Sequence, residues 1–295
     1  MSFGRGNYIL SKVYLWEKIK EMSRVEARKK PKKKSSNNTV YYVIMIILFA
    51  IMGFSGFKVY KIASEYKQGT SVYDGIAEDV GAAPREQAHL DMRLTLDWDK
   101  LSEKNSDIVG WIRSQGTVIN YPVVKGIDNE YYLTHLLDGT WNNKGTIFLD
   151  MRSADPFNDF LTVMYGHRMK DKSMFYLLGE YFEHKSTPYF LEHPVIELYT
   201  PEKDYDIQIF GAAVIDSRDE SLYNFRLYEK EEKQRYIDWI FAHNELAGYD
   251  NRVSVTTSDH IVMMSTCTLQ GSANDNNRVV VWGKLVEVDR DSSGE

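Results

Sequence analysis

Residues 40–57, VYYVIMIILFAIMGFSGF, run for eighteen positions without a charge. At the helical rise this is about 27 Å, close to the hydrocarbon thickness of a bilayer. The pattern predicts one transmembrane helix, with Tyr41 and Tyr42 at its interfacial end. A buried core helix would keep a polar stripe, which this run lacks. A cleaved signal peptide would have a shorter basic region and an apolar run of about 7–15 residues. An uncleaved signal anchor fits best. Residues 58–88 are polar and mixed, punctuated by Gly and Pro from Gly69 onward, and read as an extracellular stalk or linker that starts out helical.

From residue 89 to about 290 the pattern is that of a folded domain. Residues 90–113 show helical spacing, with Leu96, Trp98 and Leu101 followed by Ile108, Val109 and Trp111. A second amphipathic helix is predicted over 227–246, where Tyr236, Ile237, Ile240 and Phe241 share a face. Short runs rich in Val, Ile, Tyr, Phe and Thr occupy 117–124, 146–150, 160–166, 195–200, 205–215, 260–267 and 278–288, separated by Asn, Asp, Gly, Pro and Ser. Seven or more such strands predict a mainly β protein with helices (α+β), closed as a barrel or stacked as a sandwich. Regular βα alternation is missing, which argues against a doubly wound sheet. Residues 291–295 read as a disordered tail.

Charge sharpens this division. Residues 1–39 carry eleven Lys or Arg against three acids, a net of +8, while the rest carries 25 and 39, a net of −14. The basic run at 28–34 directly precedes the anchor, so the positive-inside rule places residues 1–39 in the cytoplasm and the folded domain outside the cell. Residues 8–28 have some helical character and suit the inner membrane face, or the Lys/Arg run serves only as the topology signal. The chain's 43% hydrophobic content excludes collagen-like and fully disordered classes. Its single cysteine excludes an intrachain disulfide and a Cys-based zinc site. No EF-hand spacing is present, so neither metal nor cofactor is expected. Nothing points to nucleic acid.

Cys267 closes the apolar run HIVMMSTC at a strand end, and Arg278 opens the next run after the polar loop TLQGSANDNN. Two antiparallel strands joined by that loop would bring Cys267 and Arg278 together. A free Cys is commonly a small buried hydrophobe. An idle exposed thiol outside the cell is an oxidation liability, however, and a strand end beside a polar loop is an unusual place for a packing residue. A thiol nucleophile needs a proton partner, because at neutral pH only a minority is thiolate. Any of the seven histidines could serve on spacing alone. His167 differs from the others in ending a strand-like run, LTVMYG, and opening a polar turn.

These segments resemble the class B sortases. YGHRMKDKSMF, from Tyr165, is similar to that family's histidine motif, Ser265-Thr266-Cys267-Thr268 to its cysteine motif, and Arg278-Val279-Val280-Val281 with Lys284-Leu285 to its arginine strand. Asn120-Tyr121-Pro122-Val123-Val124, Asp128-Asn129 and Tyr131-Tyr132-Leu133 look like its early strand and following segment. The matches occur in the family's order over roughly residues 90–290. Arg168 departs from the Asn that often follows the family's His, and the 268–277 loop and Trp282-Gly283 follow no familiar version.

The resemblance implies a sortase-like closed barrel of about eight strands, with a helix between the sixth and seventh. It implies a transpeptidase that cleaves a C-terminal sorting signal of secreted proteins. Cys267 would be the nucleophile forming a thioacyl-enzyme, His167 the general acid and then base, and Arg278 the group that steadies the oxyanion or substrate backbone. The acceptor would be an amine of peptidoglycan precursor or of a pilin. Ser265, Thr266 and Asn120 are candidate substrate contacts, although Ser265 is equally suited to strand packing. The 227–246 helix would wall the substrate groove or merely cover the barrel. Two other classes compete: a different cell-envelope cysteine enzyme, disfavoured by the His-before-Cys order and the lack of a His-Gly beside the cysteine, and a non-catalytic β-barrel binding module on a stalk.

Overall fold

A computed structural model describes residues 14–24, 38–82, 93–182, 188–246, 248–249, 252–268 and 276–290. The chain divides into two compact units, residues 1–59 and 60–295. In the first, residues 14–24 are helical, and helix α1 (Asn38–Asp79) begins. Among the described residues α1 is the one helix long and apolar enough to cross a membrane, and its apolar window is unburied. That is compatible with a single membrane anchor.

The second unit is a closed barrel of eight strands: β1 (Ile108–Arg113), β2 (Asn120–Val124), β3 (Ile147–Leu149), β4 (Leu161–Tyr165), β5 (Val195–Tyr199), β6 (Asp204–Asp216), β7 (His260–Cys267) and β8 (Asn277–Val288). The order around the barrel is β1-β2-β3-β4-β7-β8-β6-β5. Only β2–β3 and β4–β7 are parallel. Helix α2 (Trp98–Lys104) precedes β1, the short α3 (Tyr189–Glu192) precedes β5, and α4 (Lys230–Ala242) lies between β6 and β7.

Strands β7 and β8 read as continuous apolar runs because both of their faces are buried. Val262, Met264, Val279 and Val281 join the barrel interior, while Ile261, Met263, Val280 and Trp282 form a second cluster with Phe160, Phe210, Tyr236, Ile237 and Ile240. Tyr236, Ile237 and Ile240 come from α4, so this helix covers the outer face of the barrel. Its N-terminus is closed by a capping box between Glu229 and Glu232.

Two sequence expectations change. Helical spacing over 90–113 holds only for α2, which Asp97 caps through Lys100 N–H and which ends at Asn105. Ile108–Arg113 is strand β1, rich in β-branched residues: Ile108 and residues 110–113 pair with β2, and Trp111, Ile112 and Arg113 also pair with β5 on the other side. Gly110 allows this close approach: a Cβ there would lie 2.9 Å from the Tyr199 carbonyl oxygen. The linker expected over 58–88 is also corrected for its described part. Gly69, Tyr73, Ile76 and Ala77 of α1 are buried, and Tyr73, Ile76, Ala77, Val80 and Ala82 belong to the barrel's core cluster. Positions 69, 73, 76, 77 and 80 form a helical stripe, masked in the sequence by the polar residues between them. Residues 83–92 and the expected tail at 291–295 lie outside the described residues.

Candidate active site

An open cleft of about 370 Å³ sits at the end of β4, β7 and β8. Its lining includes His167, Cys267 and Arg278, together with Tyr165, Tyr223 and Arg152. The strand register explains the convergence. Cys267 is the last residue of β7 and pairs directly with Arg278 near the start of β8. Strands β4 and β7 run parallel, with Tyr165 beside Ser265, and the Gly166 N–H donates to the Ser265 carbonyl at 3.2 Å. Two residues further along both chains lie His167 and Cys267. Three distant segments therefore deliver a thiol, an imidazole and a guanidinium to one barrel rim, and the thiol is exposed.

The His167 ring is oriented by a hydrogen bond between Nε2 and the Leu133 carbonyl, 2.8 Å. A carbonyl only accepts, so Nε2 carries the proton, and in the neutral ring Nδ1 is the basic nitrogen. Arg278 keeps one Nη1 bond to the Asn277 carbonyl at 3.0 Å. Its positive charge helps to lower the pKa of Asp216, although the main cause there is the hydrogen bonding from Arg218.

Beneath the cleft lies a polar knot missing from the sequence reading. Asp150 is fully buried and directly follows β3. Its carboxylate accepts from the Arg152 backbone N–H (2.9 Å), Nε (2.9 Å) and Nη2 (2.8 Å), from the Tyr165 hydroxyl (2.7 Å) and from Asn129 Nδ2 (3.2 Å). Burial pushes the Asp150 pKa up, but the hydrogen bonds from Arg152 and Tyr165 outweigh it and hold the carboxyl below its ordinary value. Arg152, half exposed, lies over the Phe225 ring at 4.3 Å. Tyr223 closes the other side, its hydroxyl 3.1 Å from Ser265 Oγ. Burial raises the Tyr223 phenol pKa.

The expected substrate contacts separate. Ser265 and Thr266 line the cleft but are nearly fully buried, and Ser265 is bonded to Tyr223. Asn120 does not line the cleft: its Oδ1 accepts from Trp111 Nε1 at 2.7 Å and its Nδ2 donates to the Ala82 carbonyl at 2.8 Å. Both ends of its amide are used in tying β1 and β2 to the chain after α1. Nor does α4 wall the groove. No residue of α4 lines the cleft, and Ser217 and Tyr223, from the segment after β6, take that place. The spacing Asp150-x-Arg152 after a strand was the available signal for the knot, but nothing in the sequence joins it to Tyr165 or Asn129. The 269–275 part of the Cys–Arg loop lies outside the described residues.

Comparison with known proteins identifies the family of the fold. The Sortase domain family profile matches residues 112–286. Sortase B of Staphylococcus aureus is 28% identical over 243 residues, 82% of this chain and 95% of that protein. Sortase B of Listeria monocytogenes is 28% identical over 242 residues, 81% of this chain and 94% of that protein. Among solved structures, a Staphylococcus aureus sortase B–substrate complex matches with a TM-score of 0.58 and 30% identity, covering 65% of this chain and 85% of the other. The sortase B structure from B. anthracis matches with a TM-score of 0.62 and 29% identity, covering 77% of this chain and all of the other. A family profile spanning more than half of the chain, on a barrel shared with class B structures, places the chain in the sortase family, whose members are transpeptidases.

Proposed function

We propose that this chain is a membrane-anchored class B sortase that cleaves a C-terminal sorting signal and joins the new carboxyl end to a peptidoglycan amine through a thioacyl-enzyme on Cys267. The observation that carries this reading is the register of β4, β7 and β8, which sets His167, Cys267 and Arg278 at one rim of the barrel. The Cys267 thiol passes its proton to His167 Nδ1, and Sγ attacks the scissile carbonyl as thiolate. The Arg278 guanidinium, always charged and rich in donors, stabilises the oxyanion that forms. His167 gives a proton to the leaving amine from Nδ1, so the C–N bond breaks as the thioester forms. The incoming amine then attacks the thioester, His167 takes its proton, and Cys267 leaves as thiolate. A thioester retains enough energy for an amine to capture the acyl group when water is limited.

The uncharged 40–57 run and the +8 charge of residues 1–39 support a single anchor, with the N-terminus cytoplasmic and the barrel outside. The test is mass spectrometry of a peptide library incubated with the full chain and either a peptidoglycan-type amine or a pilin-type lysine peptide. The reading expects one cleavage motif, amine transfer and loss of both in Cys267→Ala. Undiminished cleavage by Cys267→Ala defeats it, and preference for the lysine peptide redirects it to pilin assembly.

A further inference from the structure

The loop carrying His167 depends on support from outside itself. Between His167 and Phe175, Lys172 and Met174 adopt φ of +65° and +57°, a left-handed conformation that side chains other than glycine occupy at a cost. The base of the loop is closed by the Phe175 N–H on the His167 carbonyl at 2.9 Å. Its middle is held by a buried cation. Lys144, only 1% exposed, pairs through Nζ with Asp171 Oδ2 at 2.9 Å and donates to Thr70 Oγ1 of α1 at 2.5 Å. Asp171 also accepts from the Ser173 hydroxyl and N–H. The helix passes so close over this ammonium arm that a Cβ on Gly69 would lie 2.9 Å from Lys144 Cδ.

The same stretch of α1 is also linked to the imidazole indirectly, through Gly145 and the Leu133 carbonyl. The Tyr73 hydroxyl donates to the Gly145 carbonyl at 2.5 Å. Gly145, at φ +58°, lies so close to the carbonyl oxygens of Tyr132 and Leu133 that a Cβ would sit 2.3 and 2.7 Å from them. The Leu133 carbonyl is the acceptor that orients His167 Nε2. Both the loop and the hydrogen-bond acceptor of His167 are thus tied to one helix segment.

We propose that residues 60–79 of α1, through the Thr70–Lys144–Asp171 latch and the Tyr73–Gly145 contact, position His167, so that proton transfer at Cys267 depends on this membrane-proximal segment being docked. The proposal rests on the acid–base role of His167. Lys144 does not line the cleft and acts as a positioning residue. An apolar side chain of similar volume would fill its site without the desolvation of a charge. The ammonium adds a directional tie to two partners, a use of buried charge that specifies geometry more than it adds stability.

The test is the pH dependence of Cys267 alkylation by iodoacetamide, measured on the full chain in detergent, with circular dichroism to verify folding. Lys144→Met leaves Asp171 about a quarter exposed and open to water. Thr70→Val, on the helix surface, removes only the α1 half of the latch, so the test survives if Lys144→Met fails to fold. In both, the alkylation rate at pH 7 is expected to change at least threefold, in the same direction as in His167→Ala, and Thr70→Ser should restore the wild-type profile. Folded variants that keep the wild-type profile while His167→Ala does not would overturn the latch alone. A wild-type profile in His167→Ala would overturn the acid–base assignment itself, and the latch with it.

Discussion

Replacing Asp150 by Asn tests whether the buried knot organises the cleft. The substitution keeps the shape and one acceptor oxygen but removes the charge and sets an NH2 group where Oδ2 now accepts from Arg152, Tyr165 and Asn129. Tyr165 can reverse its bond, since a hydroxyl both donates and accepts; Arg152 Nη2 cannot, nor can Asn129 Nδ2, whose amide oxygen already accepts from the Met151 N–H. The main loss is one charge-assisted bond, about 1.5–3 kcal/mol. Arg152 is half exposed, so its freed charge is met by water and the full cost of an orphaned buried ion does not apply. For a unit of this size, a loss near 2 kcal/mol lowers the melting temperature by about 4–8 °C. The pH dependence identifies the cause. The folded pKa of Asp150 is depressed, so its stabilisation is present above the ordinary carboxylate pKa and is lost as pH falls through the lower folded value. The difference in melting temperature between wild type and Asp150→Asn, followed by circular dichroism, should be full at pH 7 and should shrink below about pH 4. An equal melting temperature at pH 7, or a difference that stays constant into acid, would refute the assignment of Asp150 as an ionised anchor.

Other variants probe separate parts of the account. Gly145→Ala forces a Cβ against two backbone carbonyls at positive φ and should cost about 2–4 kcal/mol, seen as a lowered denaturation midpoint. Arg278→Lys keeps the charge but loses the planar donor fork, and kcat for peptide cleavage should fall about 10²-fold. Tyr223→Phe removes only the hydroxyl bonded to Ser265 and should raise KM several-fold with little change in kcat, as read from steady-state cleavage.

The convergence of Cys267, His167 and Arg278 was more legible in the sequence than the packing. Cys267, His167 and Arg278 each sit where an apolar run meets a polar one, and strand ends are where a barrel exposes side chains. Their order and local motifs resembled one family, so the three positions could be named without coordinates. Ile108–Arg113 was misread as helix because Leu101, Ile108, Val109 and Trp111 also satisfy helical spacing, and pairing with β2 and β5 decided the matter. The stripe from Gly69 to Val80 was hidden because its buried members are mostly small or hydroxylated residues among polar neighbours. Asn120 is a candidate on the family resemblance of its strand alone, and both ends of its amide are taken up inside the fold. The Asp150 knot and the Lys144 latch join residues tens of positions apart, and no local pattern carries such a link.

The central claim is that Cys267 becomes acylated by the sorting signal and releases it to an amine. Intact-mass spectrometry of the full chain, mixed with a peptide selected from the library and no acceptor, tests this directly. The account predicts an added mass equal to the N-terminal peptide fragment less one water, as a thioester requires, mapped to Cys267 by proteolysis and discharged when an amine is supplied. Cleavage of the peptide at an undiminished rate with no adduct on Cys267, or with an adduct on another residue, would contradict it.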